Sequence, residues 1–501
     1  MQEILYEYQM NATTWGYLSS LIMIAVFFKF RRFWSVRNLD LIGLILFAPG
    51  LLLVLHGREM KDLAVKLSTG WQAQIRDIDQ VHKAAPFREA SEFGNRLPPP
   101  PGEHRQSAGG VKEVAEETRE LGRQLEQRGY LWLFVVGGLF LLRLLVDSAM
   151  VRRPLLEPNL SASGLTFACA AMLIFLMSNV IAPPPTKSDA AALAKLSERF
   201  QGRVIQGELF AAIEAALAKS SEKPHVPEAT DDIPQILKQR GPGYPLFHVF
   251  SSESDAPGKR ATAILAHLAV VLGMVLIGYR HFDNTHTGIA AATLYLLLPY
   301  TANFTPRIDH VVPAALLVWA IQTYRRPVVA GIFVGLAAGL IWYPLFLLPL
   351  WCSFYWRRGL LRFSLAVLVV LGLVAISLLF TPSKLGPYAY QFSHTFGMMT
   401  VDPPDIRGLW EEPLSPFRWP ILAAFVAMCG SMVLWPAQKN LGSLLACSAA
   451  IMLGTQFWKA YEGGTFMAWY LPLLILTIFR PNLEDRVALS AINEGWVKWR
   501  K

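Results

Sequence analysis

The stretch TPRIDHVV brings Arg307, Asp309 and His310 together within four positions. An Asp beside a His can move a proton, and a guanidinium can hold two oxygens of a phosphate at once. On that chemistry Asp309 and His310 are candidate catalytic groups, and Arg307 is a candidate for binding substrate. The same residues open an apolar run. A carboxylate there also suits a helix N-terminus, where free N–H groups and the helix dipole favour negative charge. The residues alone leave both roles open.

Other constellations read more simply. His281, Asp283 and His286 in YRHFDNTHTG match no metal-ligand spacing and suit a solvated turn between helices. Arg143 and Asp147 stand at i and i+4, so one helix face can pair them. His56 and His267 fall near the ends of apolar runs, where an ionisable group reaches water easily. Carboxylates that could serve an acceptor hydroxyl are numerous: Asp62, Asp77, Asp79, Asp189, Asp402, Asp405, Glu411 and Glu412. The four cysteines, Cys169, Cys352, Cys429 and Cys447, sit in apolar stretches without CxxC spacing. Neither metal nor cofactor is implied.

These groups must be positioned by a membrane fold. Of 501 residues 53% are hydrophobic and 17% charged, against about 25% charged in soluble proteins. Apolar blocks near the roughly 20 residues that cross a bilayer recur along the chain. They lie at 15–30, 41–56, 130–146, 165–181, 262–279, 288–300, 311–324, 328–355, 361–380, 420–435, 441–457 and 466–479. The expected fold is all-α and polytopic, with about 11–13 transmembrane helices. The net charge of +9 sits in short basic clusters beside apolar blocks. That pattern argues for membrane topology and against nucleic acid as a partner.

The block 328–355 is too long for one crossing, and Pro344 disfavours helical geometry at Tyr343. A break at Trp342–Pro344 lets the clusters at Lys29–Arg37, Arg152–Arg153, Arg280, Arg325–Arg326 and Arg357–Arg358 share the cytoplasmic side. The expected topology is a multi-pass protein of the cell (inner) membrane, with its N-terminus outside and its C-terminus cytoplasmic. Residues 1–56 then hold two helices, 57–129 a polar extracytoplasmic segment and 130–182 a helix pair. Residues 183–259 form an extracytoplasmic segment with amphipathic stretches. Residues 260–480 form a transmembrane core with an external aromatic loop at 381–419, and 481–501 a cytoplasmic tail. The tail of the first polar segment, GGVKEVAEETRELGRQLEQRGY, reads as a helix with too few apolar residues for a packed core.

From Thr262 to Phe479 the order of GIAAATLYLLLPYTA, DHVVPAALLVWAI and RRPVVAGIFVGLAAGLIWYPLFLLPLW resembles the GT-C membrane glycosyltransferases. It is most similar to the polyprenyl-phosphate-sugar-dependent mannosyl- and arabinofuranosyltransferase-like group. AWYLPLLIL at Ala468–Leu476 looks like the start of that group's late helix. The resemblance implies a GT-C-like core that transfers a sugar from a polyprenyl-phosphate donor to an extracytoplasmic acceptor. Membrane lipid and the lipid-linked sugar would be its partners. The group's acidic residue in the first external loop has its nearest equivalents here in Asp62 and Asp189, and Asp62 is the catalytic candidate. Trp342 stands where the group often has Lys. Tyr343, Trp410 and Tyr470 are candidate substrate-binding aromatics. The alternative is a non-catalytic scaffold that binds protein partners through 57–129 and 183–259. A transporter is disfavoured, because charged groups at mid-membrane depth are scarce in this parse.

Overall fold

The computed structural model describes residues 12–84, 101–147, 158–181, 256–377, 408–411, 413–436 and 439–481. The expected segment 183–259 falls almost wholly outside these residues, as do the tail beyond 481 and most of the loop 381–419. Asp189, Asp402, Asp405 and Glu412 lie outside them too.

The elements are helices throughout. In chain order they are α1 (Ala12–Phe27), α2 (Val36–Ala84), α3 (Pro101–Val146), α4 (Ala162–Ile181), α5 (Ala256–His281), α6 (Thr285–Leu297) and α7 (Pro299–Asn303). Then follow α8 (Ile308–Gln322), α9 (Pro327–Leu340), α10 (Leu348–Phe354), α11 (Leu360–Ser377), α12 (Arg418–Ser431), α13 (Leu441–Trp458) and α14 (Leu471–Phe479). Among the described residues five helices are long and apolar enough to cross a membrane: Val36–Thr69, Val111–Val146, Arg260–His281, Leu360–Ser377 and Leu441–Trp458. The described residues are all-helical, and five helices that could span a membrane are those of a multi-pass membrane protein.

Contacts divide it into two units. The first comprises Met1–Leu51, Tyr130–Pro183 and Thr230–Lys501. Its centre is α13, whose apolar stretch is 94% buried. An Asn440–Ser443 capping box fixes the start of that helix, satisfying two backbone donors reciprocally. A helix apolar all round belongs inside a bundle. α11 is the contrast: only 22% of its apolar stretch is buried, so most of its surface is left for lipid. α9 packs along α11, α5 along α6 and α8, and α14 along α6 and α13.

The 328–355 block is broken where Pro344 requires it. α9 ends at Leu340, a 3-10 turn spans Tyr343–Leu347, and α10 begins at Leu348. The expected span 288–300 also divides, because Pro299 starts a separate short helix.

The second unit comprises Leu52–Gly129 and Pro184–Ala229. Within it, the α2 and α3 residues pair as a helical hairpin. The span expected to end at His56 does not end there, and α2 continues through that position. The polar tail does have a packed seam. Met60, Leu63, Ala64 and Leu67 are buried on α2, and Val111, Val114 and Ala115 on α3. Two glycines make the sparse pattern sufficient. A Cβ on Gly57 would lie 2.6 Å from the Gly122 carbonyl oxygen, so only glycine permits that backbone approach. Glu126 is held there by Lys61 at 2.6 Å and Arg58 at 3.3 Å.

Candidate functional site

The first unit brings Arg307, Asp309 and His310 into one cluster. α8 starts at Ile308 with Arg307 as its N-cap, and no side chain caps that helix. Asp309 lies inside the first turn, so the cap role open to it in the sequence is not the one it takes. Its carboxylate instead accepts two bonds from Arg307, Nε to Oδ1 at 3.5 Å and Nη2 to Oδ2 at 3.2 Å. The helix dipole still favours a carboxylate in that turn.

His310 is 1% exposed, with its ring between Phe304 (centroids 5.1 Å apart) and Phe466 (4.4 Å). Its Nδ1 is hydrogen-bonded to the Tyr300 hydroxyl, and its Nε2 lies 3.9 Å from Asp309 Oδ2. Tyr300 and His310 are thus joined by a hydrogen bond, and Asp309 lies beside them at a distance too long for one. Arg307 stays one-third exposed at the edge of the set. Burial works against its charge, yet Asp309 and Glu462 more than offset this and raise its pKa, so it remains a cation.

The loop after α13 completes the cluster. Lys459 is 2% exposed; its ammonium donates to the Tyr461 carbonyl at 2.6 Å and lies 3.8 Å over the Phe466 ring. Gln456 holds this loop in shape, because its side-chain oxygen accepts from the backbone N–H of Gly464 and of Phe466. Glu462 has a φ of 51°, in the left-handed region. Gly463 next to it is obligatory, since a Cβ there would lie 2.5 Å from the Gln456 carbonyl oxygen. Trp469 ties the following turn back to α8 by donating from Nε1 to the Asp309 carbonyl at 3.1 Å.

A small apolar crevice of about 10 Å³ adjoins the cluster at Tyr300. Phe47 and Leu51 of α2, Leu298 and Pro299 before Tyr300, and Met467 and Leu471 beyond the loop help to line it. A buried aspartate and histidine, two cations and a small apolar crevice thus lie near one another.

The remaining candidates divide. Tyr343 belongs beside the cluster: its ring lies 5.3 Å from Trp469 and 5.9 Å from the Lys459 ammonium. Trp410 is buried, and its Nε1 is used by the Phe457 carbonyl at 3.0 Å. Tyr470 is a core aromatic packed at 6.4 Å from Phe47. Asp62 belongs to the second unit, exposed on α2 one turn beyond Arg58.

Sequence reasoning missed Tyr300, Lys459 and Glu462. The available signal was FWKAYEGGTF, where a lysine ends an apolar run just before paired glycines. Two histidines also depart from expectation. His281 is buried, and its Nε2 donates to the Gln322 carbonyl at 2.9 Å, so it is a packed group in place of a solvated one. His267 is buried as well: Nε2 donates to the Thr305 carbonyl, which leaves Nδ1 to accept from the Tyr295 hydroxyl. Among the described residues no group of His, Cys, Asp and Glu is placed to hold a metal ion.

A second charged cluster lies elsewhere in the same unit. Arg143 donates to both Asp40 oxygens (3.0 and 3.1 Å) and to Asp147 at 2.7 Å, and Arg480 donates to Asp147 at 2.6 Å. The local pair expected from the sequence is the middle of a four-residue ladder of alternating charge.

No protein-family model, no curated protein and no solved structure matches this chain.

Proposed function

We propose that the chain is a membrane glycosyltransferase of the GT-C kind, which moves a sugar from a polyprenyl-phosphate donor to an extracytoplasmic acceptor. The observation that carries this reading is the buried Asp309–His310–Tyr300 set beside Arg307 and an apolar crevice. Ionisable groups buried in a membrane protein are costly, and a functional role is their default explanation. In this reading Arg307 holds the donor phosphate. Asp309 accepts the acceptor hydroxyl's proton, with His310 and Tyr300 fixing its surroundings. Tyr343 borders the sugar. No nucleotide site is required. The same reading puts the cluster on the extracytoplasmic side, with the N-terminus outside.

The test is transfer from a panel of polyprenyl-phosphate sugars by membranes carrying wild type, Arg307→Lys or Asp309→Asn. Lysine cannot reproduce a bidentate guanidinium, and Asn keeps the carboxylate's shape without its charge. Both variants should insert normally and lose about 100-fold or more of the transfer rate, in the range of a lost general base. Wild-type turnover matched by both variants would place the chemistry elsewhere.

The hairpin of the second unit favours a scaffold as the second reading. Its glycine-seamed, ion-paired helices carry charged residues outward, as a protein-binding stalk would. A wild-type protein that transfers nothing from the panel, yet retains a partner through washing, would support it.

A further inference from the structure

Arg418 starts α12, and burial leaves it 8% exposed. Among the described residues it makes no ion pair. Its Nη1 is buried without a hydrogen-bond partner, and its guanidinium carbon lies 5.3 Å over the Trp419 ring. No acidic residue occupies the first turn of α12, whose dipole already presents positive charge there. Burial disfavours the cation and lowers its pKa, with Tyr343 acting weakly the other way. A buried guanidinium with no counter-charge is strongly unfavourable unless an anion completes it.

A second donor lies on α13, which packs against α12. Trp458, 7% exposed at the end of α13, has its Nε1 buried without a partner. Its ring lies 5.6 Å from that of Tyr343 and 5.6 Å from that of Phe425 on α12. Two orphaned donors, one cationic and one neutral, thus lie on the packed pair α12 and α13. Arg offers phosphate a planar fork of N–H groups, and an indole offers one further N–H.

The surroundings select the source of the anion. Phe417 and Trp419 flank Arg418 and are 64% and 53% exposed, as amphipathic rings are at headgroup depth. Farther along, Val426 and Leu434 are exposed at 49% and 81%, so this face is apolar enough to meet lipid tails. We infer that Arg418 and Trp458 form a binding site for the phosphate of a membrane lipid headgroup. The site uses residues other than Arg307, which Asp309 already engages, and it requires no sugar transfer.

The full-length protein in a phosphate-free maltoside detergent would be titrated with phosphatidylglycerol, diacylglycerol or glycerophosphate. Bound ligand is read by native mass spectrometry, and folding by thermal unfolding. Wild type should bind phosphatidylglycerol about tenfold or more tightly than Arg418→Met, the loss expected for a charge-assisted bond. Trp458→Phe, which removes one N–H and keeps the ring packing, should bind several-fold more weakly than wild type. Diacylglycerol should not compete. If Arg418→Met fails to fold, Trp458→Phe decides: unchanged phosphatidylglycerol affinity overturns the site. Equal binding of diacylglycerol would also overturn it, and glycerophosphate competing as strongly as the lipid would overturn the assignment to a lipid.

Discussion

The two charged clusters of the first unit solve the cost of buried charge in opposite ways. In the Asp40–Arg143–Asp147–Arg480 ladder each cation contacts a carboxylate at 3.1 Å or less, and charges alternate along it. Around Tyr343 and His310 the account is left open. Arg307 pairs with Asp309 while staying one-third exposed, and among the described residues Arg418 meets no carboxylate. A closed network fixes helices in place, because breaking it strands a charge in a low-dielectric interior. An open one keeps donors and charge for something that arrives from outside. Position in the fold does not separate these roles, since both clusters are buried. Neutralisation does.

The largest effect should come from breaking the closed cluster. Asp147→Ala strands Arg480, leaves Arg143 with Asp40 alone, and should destabilise the protein by about 3–5 kcal/mol. Thermal unfolding in detergent measures it, and a loss under about 1 kcal/mol would mean that water already screens the ladder. An intermediate effect sharpens the open side. Gln456→Ala leaves the N–H groups of Gly464 and Phe466 without their acceptor and should cost about 2–3 kcal/mol. Because that loop presents Lys459 and Glu462, donor use should fall with it, whereas Asp147→Ala should leave donor use intact in whatever fraction stays folded. The smallest effect concerns an aromatic outside both clusters. Trp410→Phe forfeits the bond to the Phe457 carbonyl, about 1 kcal/mol, and should leave ligand binding unchanged. A binding defect in that variant would return Trp410 to the substrate-binding aromatics.

Several features were legible because they depend on neighbours in the chain. The apolar blocks announce membrane helices, Pro344 breaks the long block at the expected place, and Arg143–Asp147 follows from one turn of helix. Composition also placed Arg307, Asp309 and His310 at one helix entrance, though not which partner Asp309 takes. The hairpin of the second unit was half legible: its helical tail could be read, but its seam depends on two glycines from separate helices coming into register.

By itself, then, the sequence determined the solvent in which this protein folds and the chain positions where its helices start and break. Hydrophobicity and proline act over a few residues, so they are readable without a fold. The tertiary structure alone decided which way each helix turns. α13 is apolar all round and carries no stripe to orient it, so nothing local shows that Gln456 and Lys459 face the loop or that Trp458 meets Tyr343. Arg480 reaches Asp147 across 333 positions, and His310 is enclosed by Phe304 and Phe466 only once three elements converge. Whether a buried charge is neutralised or left open depends on what lies across from it, and that is a property of helix packing.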